Sequence, residues 1–209
     1  MRRYSVLILL LVLPRFLIAD SMLVLGDSLS AAYGFDLEQG WVHLLRQKLH
    51  SEKHHNDSWQ VINASVSGET TAGGLARLSQ LLAKHKPAVT IIALGANDGL
   101  RGQSIENMRV NLATMVQNSK EFGAVILLGM RLPPNYGRTY TQAFEDSYTK
   151  IANQYGISYV PFFINGVTEN AEYMQADNFH PNANAQARIL ENVWPTVTSV
   201  LNNVSTANP

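Results

Sequence analysis

Met22-Leu23-Val24-Leu25-Gly26-Asp27-Ser28 decides the fold: four apolar residues in a row, closed by a glycine and followed at once by a turn. A strand covered on one face alternates apolar and polar residues, so a short unbroken run reads as a strand covered on both faces, the habit of parallel sheets. The pattern recurs. Trp59 to Asn63, Ala88 to Leu94, Ala124 to Leu128 and Ile157 to Phe162 read as four more strands. Between them lie amphipathic stretches: Trp41 to Leu49, Thr70 to Lys86 stopped by Pro87, Ser104 to Phe122 closing at Gly123, and Thr141 to Tyr155 with Gly156 as its C-cap. Ala185 to Leu201 reads as the closing helix, and the polar tail from Asn202 to Pro209 is expected to fray. This alternation predicts one α/β domain of three α/β/α layers, with a flavodoxin-like, doubly wound sheet of five parallel strands.

Composition narrows the chemistry. Of 209 residues, 46% are hydrophobic and 15% charged, which is too apolar for a disordered chain. There is no cysteine, so thiol nucleophiles, disulfides, cysteine-ligated zinc and iron–sulfur clusters are excluded, and covalent chemistry must use oxygen. Sixteen basic groups balance sixteen acidic ones, leaving no electrostatic footprint for nucleic acid. At the N-terminus, Arg2 and Arg3 precede the apolar run Val6 to Leu13, and polar Asp20 follows Ala19. Pro14 and Arg15 interrupt this stretch, which falls short of the roughly 20 apolar residues needed to span a bilayer. Residues 1–19 therefore read as a secretory signal peptide and 20–209 as the mature domain, periplasmic or secreted and without a stable membrane anchor. The mature part would carry 13 basic and 16 acidic groups.

Doubly wound sheets place their sites at the carboxyl ends of the strands, so the segments that follow each strand matter most. After the first comes Ser28, in a turn where a serine is either an N-cap or an exposed nucleophile. Its surroundings match neither the Gly-x-Ser-x-Gly elbow, since Ser30 takes the second glycine position, nor a phosphate loop. Of the six histidines, His43, His50, His54, His55 and His85 read as solvated or helix-end residues. A metal site could be drawn through His54, His55 and Asp57, but nothing else in the sequence supports it. His180 stands apart in Asp177-Asn178-Phe179-His180-Pro181, where Asp177 either closes an Asx-turn or orients the imidazole as a base. After the second and third strands come Gly68, whose backbone N–H can approach a ligand closely, and Asn97, a neutral side-chain donor. Such donors can stabilise a developing oxyanion.

Gly26-Asp27-Ser28-Leu29, Gly68, Gly95-x-Asn97-Asp98 and Asp177-x-x-His180 together resemble the blocks of the SGNH-hydrolase (GDSL esterase/lipase) family, in order. The resemblance implies Ser28 as nucleophile, His180 as base and Asp177 as its orienting carboxylate. It also implies an oxyanion hole made of the Ser28 and Gly68 N–H groups and the Asn97 side chain. No cofactor or metal is implied. One departure is Ala32, where relatives often carry glycine. For the acyl chain, Leu75 and Leu78 and the loop residues Arg131, Pro133 and Tyr136 are the candidates, although leucines at helical spacing also suit a core face. Apolar and aromatic residues between Arg131 and Arg138 suit a fatty chain with an anionic or zwitterionic head. The expected substrates are fatty-acyl thioesters, lysophospholipids and simple aryl esters, handled by a monomer. A carbohydrate O-acetyl esterase and a non-catalytic binding protein on the same scaffold are the alternatives.

Overall fold

The computed structural model describes residues 20–52 and 59–207. The expected signal peptide and the segment carrying His54, His55 and Asp57 lie outside the described residues. Five parallel strands form one sheet: β1 (Ser21–Gly26), β2 (Gln60–Asn63), β3 (Val89–Ala93), β4 (Ala124–Leu128) and β5 (Ser158–Val160). Their order is β2-β1-β3-β4-β5, with Met22 paired to Val61 on one side and to Val89 on the other. The helices are α1 (Trp41–Ser51), α2 (Thr71–His85), α3 (Ala96–Leu100), α4 (Ile105–Lys120), α5 (Arg138–Tyr155) and α6 (Gln186–Ala207).

Strand side chains alternate between two cores because successive Cβ atoms point to opposite faces. Met22, Val24, Val89, Ile91 and Ile126 pack with Trp41 and Leu45 of α1 and Ile189 and Val193 of α6. Leu23, Leu25, Ile92, Val125 and Leu127 face the other way, against α2, α4 and α5. Double coverage explains the unbroken apolar runs. Of the two leucines named in α2 as acyl-chain candidates, Leu78 is fully buried in the second core and Leu75, half-buried, packs against it. Burial of such a side chain stabilises the fold by about 1.5–3 kcal/mol, so helical spacing in α2 reports core rather than ligand contact.

Several elements differ from expectation. β5 stops at Val160: beyond it the Gly129 carbonyl accepts from Phe163 N at 3.2 Å, one residue past the ladder register. α5 begins at Arg138, behind Gly137 at φ +85°, so Arg138 belongs to a helix and not to the loop. α3 is a single short turn of helix, too brief to leave a periodic signal in the sequence. α6 runs through Pro195 to Ala207 in place of a frayed tail, with Val204 continuing the apolar face that packs on the core.

Candidate active site

The strand order reverses at β1, whose neighbours β2 and β3 lie on its two sides, and the site forms where that crevice opens. Beyond Gly26 the chain turns sharply: the Asp27 carbonyl accepts from Ser30 N at 3.1 Å and Ala31 N at 3.0 Å. The next long helix starts only at Trp41, so Ser28 caps no helix. Ala32 in this turn has φ +56°, a left-handed conformation that glycine adopts without strain, which accounts for the glycine expected there.

The Ser28 hydroxyl lies 3.2 Å from His180 Nε2, and His180 Nδ1 lies 2.7 Å from Asp177 Oδ2. The two carboxylate oxygens of Asp177 have separate partners. Its Oδ1 closes an Asx-turn by accepting from Phe179 N at 2.9 Å and His180 N at 3.0 Å, while Oδ2 holds the ring. The His180 N–H, the imidazole and the Phe179 N–H bring the exposed Asp177 carboxyl down to about 2. A carboxylate that stays ionised across the neutral range keeps Nδ1 as donor and leaves Nε2 as acceptor toward Ser28. Tyr33 and Phe179 flank the imidazole, with ring centroids 4.6 and 5.1 Å away.

Gly68 adopts φ +78° in the loop after β2. Glu69 and Arg77 form an ion pair beneath this loop, and Arg77 also reaches the Ala64 carbonyl. Asn97 is the second residue of α3, whose N-cap Gly95 has a φ of +115° that a side chain would strain. Buried Asp98 ties the two loops together by accepting from Thr71 N at 2.8 Å and Thr71 Oγ1 at 2.6 Å. On the far side, Gln175 Nε2 donates to the carbonyls of Tyr33 at 2.7 Å and Pro181 at 2.9 Å, fixing the His180 loop to the Ser28 turn. Sequence reading passed over Arg77, Asp98 and Gln175. Their partners lie 6 to 142 residues away, and only Asp98, inside a quoted motif, left any signal.

A cavity of about 430 Å³ opens beside Ser28 and His180, walled by Leu29, Leu100, Met130, Leu132, Pro133 and Phe162. Arg131 also lines it, 3.3 Å from Glu145 and over the Phe162 ring. Tyr136 does not line it; its hydroxyl donates to the Leu100 carbonyl at 2.8 Å and so braces the wall from behind. Leu75 and Leu78 are likewise absent from the lining. A larger surface groove between α1 and α6, about 640 Å³, shares no residue with this cavity. Among the described residues no cluster of His, Asp or Glu is arranged to hold a metal, and no helix is long and apolar enough to cross a membrane.

Asp27 is buried behind Ser28, where Oδ1 accepts from Leu29 N at 3.0 Å and Oδ2 from Asn97 Nδ2 at 3.3 Å. Burial raises its carboxyl from 3.8 to about 6 despite these donors. A raised carboxyl makes the folded state the stronger proton binder between the two values, so this group's contribution to stability declines as pH rises through that window. The decline amounts to about 3 kcal/mol. Denaturant titrations of wild type and Asp27→Asn should therefore diverge in favour of the variant from about pH 4 to about pH 7. A stability difference that does not change with pH would contradict this.

The doubly wound sheet and its strand-end serine, histidine and aspartate define a hydrolase-type α/β protein. The GDSL-like lipase/acylhydrolase family model matches residues 24–188, and the chain belongs to that family. It is 51% identical to an esterase, TesA, of Pseudomonas aeruginosa over 88% of this chain and 90% of that one. It is 40% identical to thioesterase 1/protease 1/lysophospholipase L1 of Escherichia coli K12, over 88% of this chain and 86% of that one. Among solved structures, a psychrotrophic esterase, EstA, from Pseudoalteromonas sp., inhibited by monoethylphosphonate, superposes with a TM-score of 0.82 at 39% identity, covering 88% of this chain and 99% of that one.

Proposed function

We propose that this protein is a serine hydrolase that cleaves ester and thioester bonds of fatty-acyl substrates. The observation that carries the reading is the Ser28–His180–Asp177 hydrogen-bond chain at the mouth of an apolar-walled cavity. Ser28 Oγ attacks the acyl carbon as its proton passes to His180 Nε2, and His180 returns that proton to the departing alcohol or thiol. Water, deprotonated by the same imidazole, then releases the acid from the acyl-enzyme. The Ser28 and Gly68 N–H groups and Asn97 Nδ2 are the donors proposed for the oxyanion in both steps, each such donor being worth about 3 kcal/mol in the barrier. Relatives named as an esterase and as a thioesterase and lysophospholipase support both bond types. Residues 1–19 are assigned to an export signal and 20–209 to a single monomeric catalytic domain that works in the periplasm.

The cavity's size falls within the range of small-ligand pockets, and its apolar wall suits an alkyl chain. Initial rates on p-nitrophenyl esters from acetyl to palmitoyl should accordingly peak at medium or long chains, with turnover also on a lysophospholipid and a fatty-acyl thioester. Activity confined to acetyl esters would transfer the assignment to a carbohydrate O-acetyl esterase. Absence of turnover on every ester would overturn the catalytic reading.

A further inference from the structure

We infer that Arg101 is a positioning residue that holds the oxyanion hole in its working orientation by gripping both Asn97 and Gly68. This rests on the catalytic reading above and adds a residue to it. Arg101 follows the last turn of α3, where its N–H closes on the Asn97 carbonyl at 3.2 Å. Its side chain folds back over that turn, and Nη2 donates to the Gly68 carbonyl at 2.9 Å and to Asn97 Oδ1 at 3.3 Å. The guanidinium therefore links two donors that reach the site from different strand ends.

The consequence for Asn97 follows from hydrogen-bond chemistry. A guanidinium only donates, and an ionised carboxylate only accepts. Arg101 fixes Oδ1 and Asp27 Oδ2 receives one hydrogen of Nδ2 at 3.3 Å, so the amide satisfies both neighbours in one orientation and neither if flipped. The second Nδ2 hydrogen is left for the substrate oxygen. At Gly68, with φ +78°, the same guanidinium anchors the carbonyl side of a residue whose conformation other side chains disfavour. A solvated arginine at a helix end would need neither contact. Preorganised donors matter because they require no reorientation as charge develops.

The test uses the full protein and p-nitrophenyl butyrate, with Arg101→Met, Arg101→Lys, Asn97→Ala and the double variant Asn97→Ala/Arg101→Met, each checked by thermal melting. Asn97→Ala should lower kcat about 10²-fold, as loss of one oxyanion donor does. Arg101→Met should lower kcat about tenfold or more while KM stays within about twofold, the signature of an interaction used in the transition state. Arg101→Lys, which keeps a cationic donor, should recover most of that loss. In the Asn97→Ala background, Arg101→Met should lower kcat much less than it does alone, because much of what it positions is gone. Arg101→Met within about twofold of wild type, or with its full effect retained in the Asn97→Ala background, overturns the inference. Ser28→Ala separates the two levels: an inactive Ser28→Ala beside an unaffected Arg101→Met removes only the role of Arg101, whereas an active Ser28→Ala removes the catalytic reading with it.

Discussion

Ser28→Ala is expected to lower kcat on p-nitrophenyl butyrate by about 10⁵-fold, the scale of loss when a hydrolase loses its nucleophile. The fold should be unaffected. Ser28 is only part-buried, its hydroxyl contacts His180 at the cavity mouth, and it caps no helix, so the change removes no core packing and no cap. Melting should stay within about 2 °C of wild type, as for a substitution outside any packing or capping role. Stopped-flow burst kinetics supply the positive counterpart in the wild type, where a pulse of p-nitrophenol equal to the enzyme present marks acyl-enzyme formation. Retention of more than a few per cent of wild-type turnover by a well-folded Ser28→Ala protein would refute the nucleophile assignment.

His180→Ala should match that loss, and the pair should be strongly non-additive. A serine without its base and a base without its serine fail at the same step, so the double variant is expected to be hardly worse than either single one. The geometry makes the effect specific to this histidine. It bonds both the Ser28 hydroxyl and the Asp177 carboxylate, while among the described histidines His43 bonds only Gln47 of its own helix. His43→Ala is the matching control and should leave kcat near wild type. Equal losses from the two histidine variants would point to general destabilisation and against a base at position 180.

The sequence made the frame and the chemical groups legible for a physical reason. Unbroken apolar runs such as Met22 to Leu25 are what burial on two faces demands, and turns that follow strands are short enough for local residue types to declare themselves. Asp177 and His180 lie three residues apart and so act within one Asx-turn, which makes their pairing a local property. Acyl-pocket residues were harder to read. Leu75 and Leu78 share the apolar periodicity of any helix that covers a sheet, and periodicity does not say which apolar face meets a ligand. In the loop after β4, Pro133 and Arg131 line the cavity while Tyr136 supports it from outside.

By itself, then, the sequence determined the layer architecture, the strand-end placement of Ser28, Gly68 and Asn97, and the Asp177–His180 pair, because each is encoded within a few consecutive residues. Tertiary structure alone decided what joins them. The 3.2 Å approach of Ser28 to His180 spans 152 residues of chain. The grip of Arg101 on Gly68 and the tie from Asp98 to Thr71 likewise bring together loops that follow different strands. Such contacts depend on the order β2-β1-β3 and on how the loops pack above it. That information lies in the burial of the whole sheet and in no single segment.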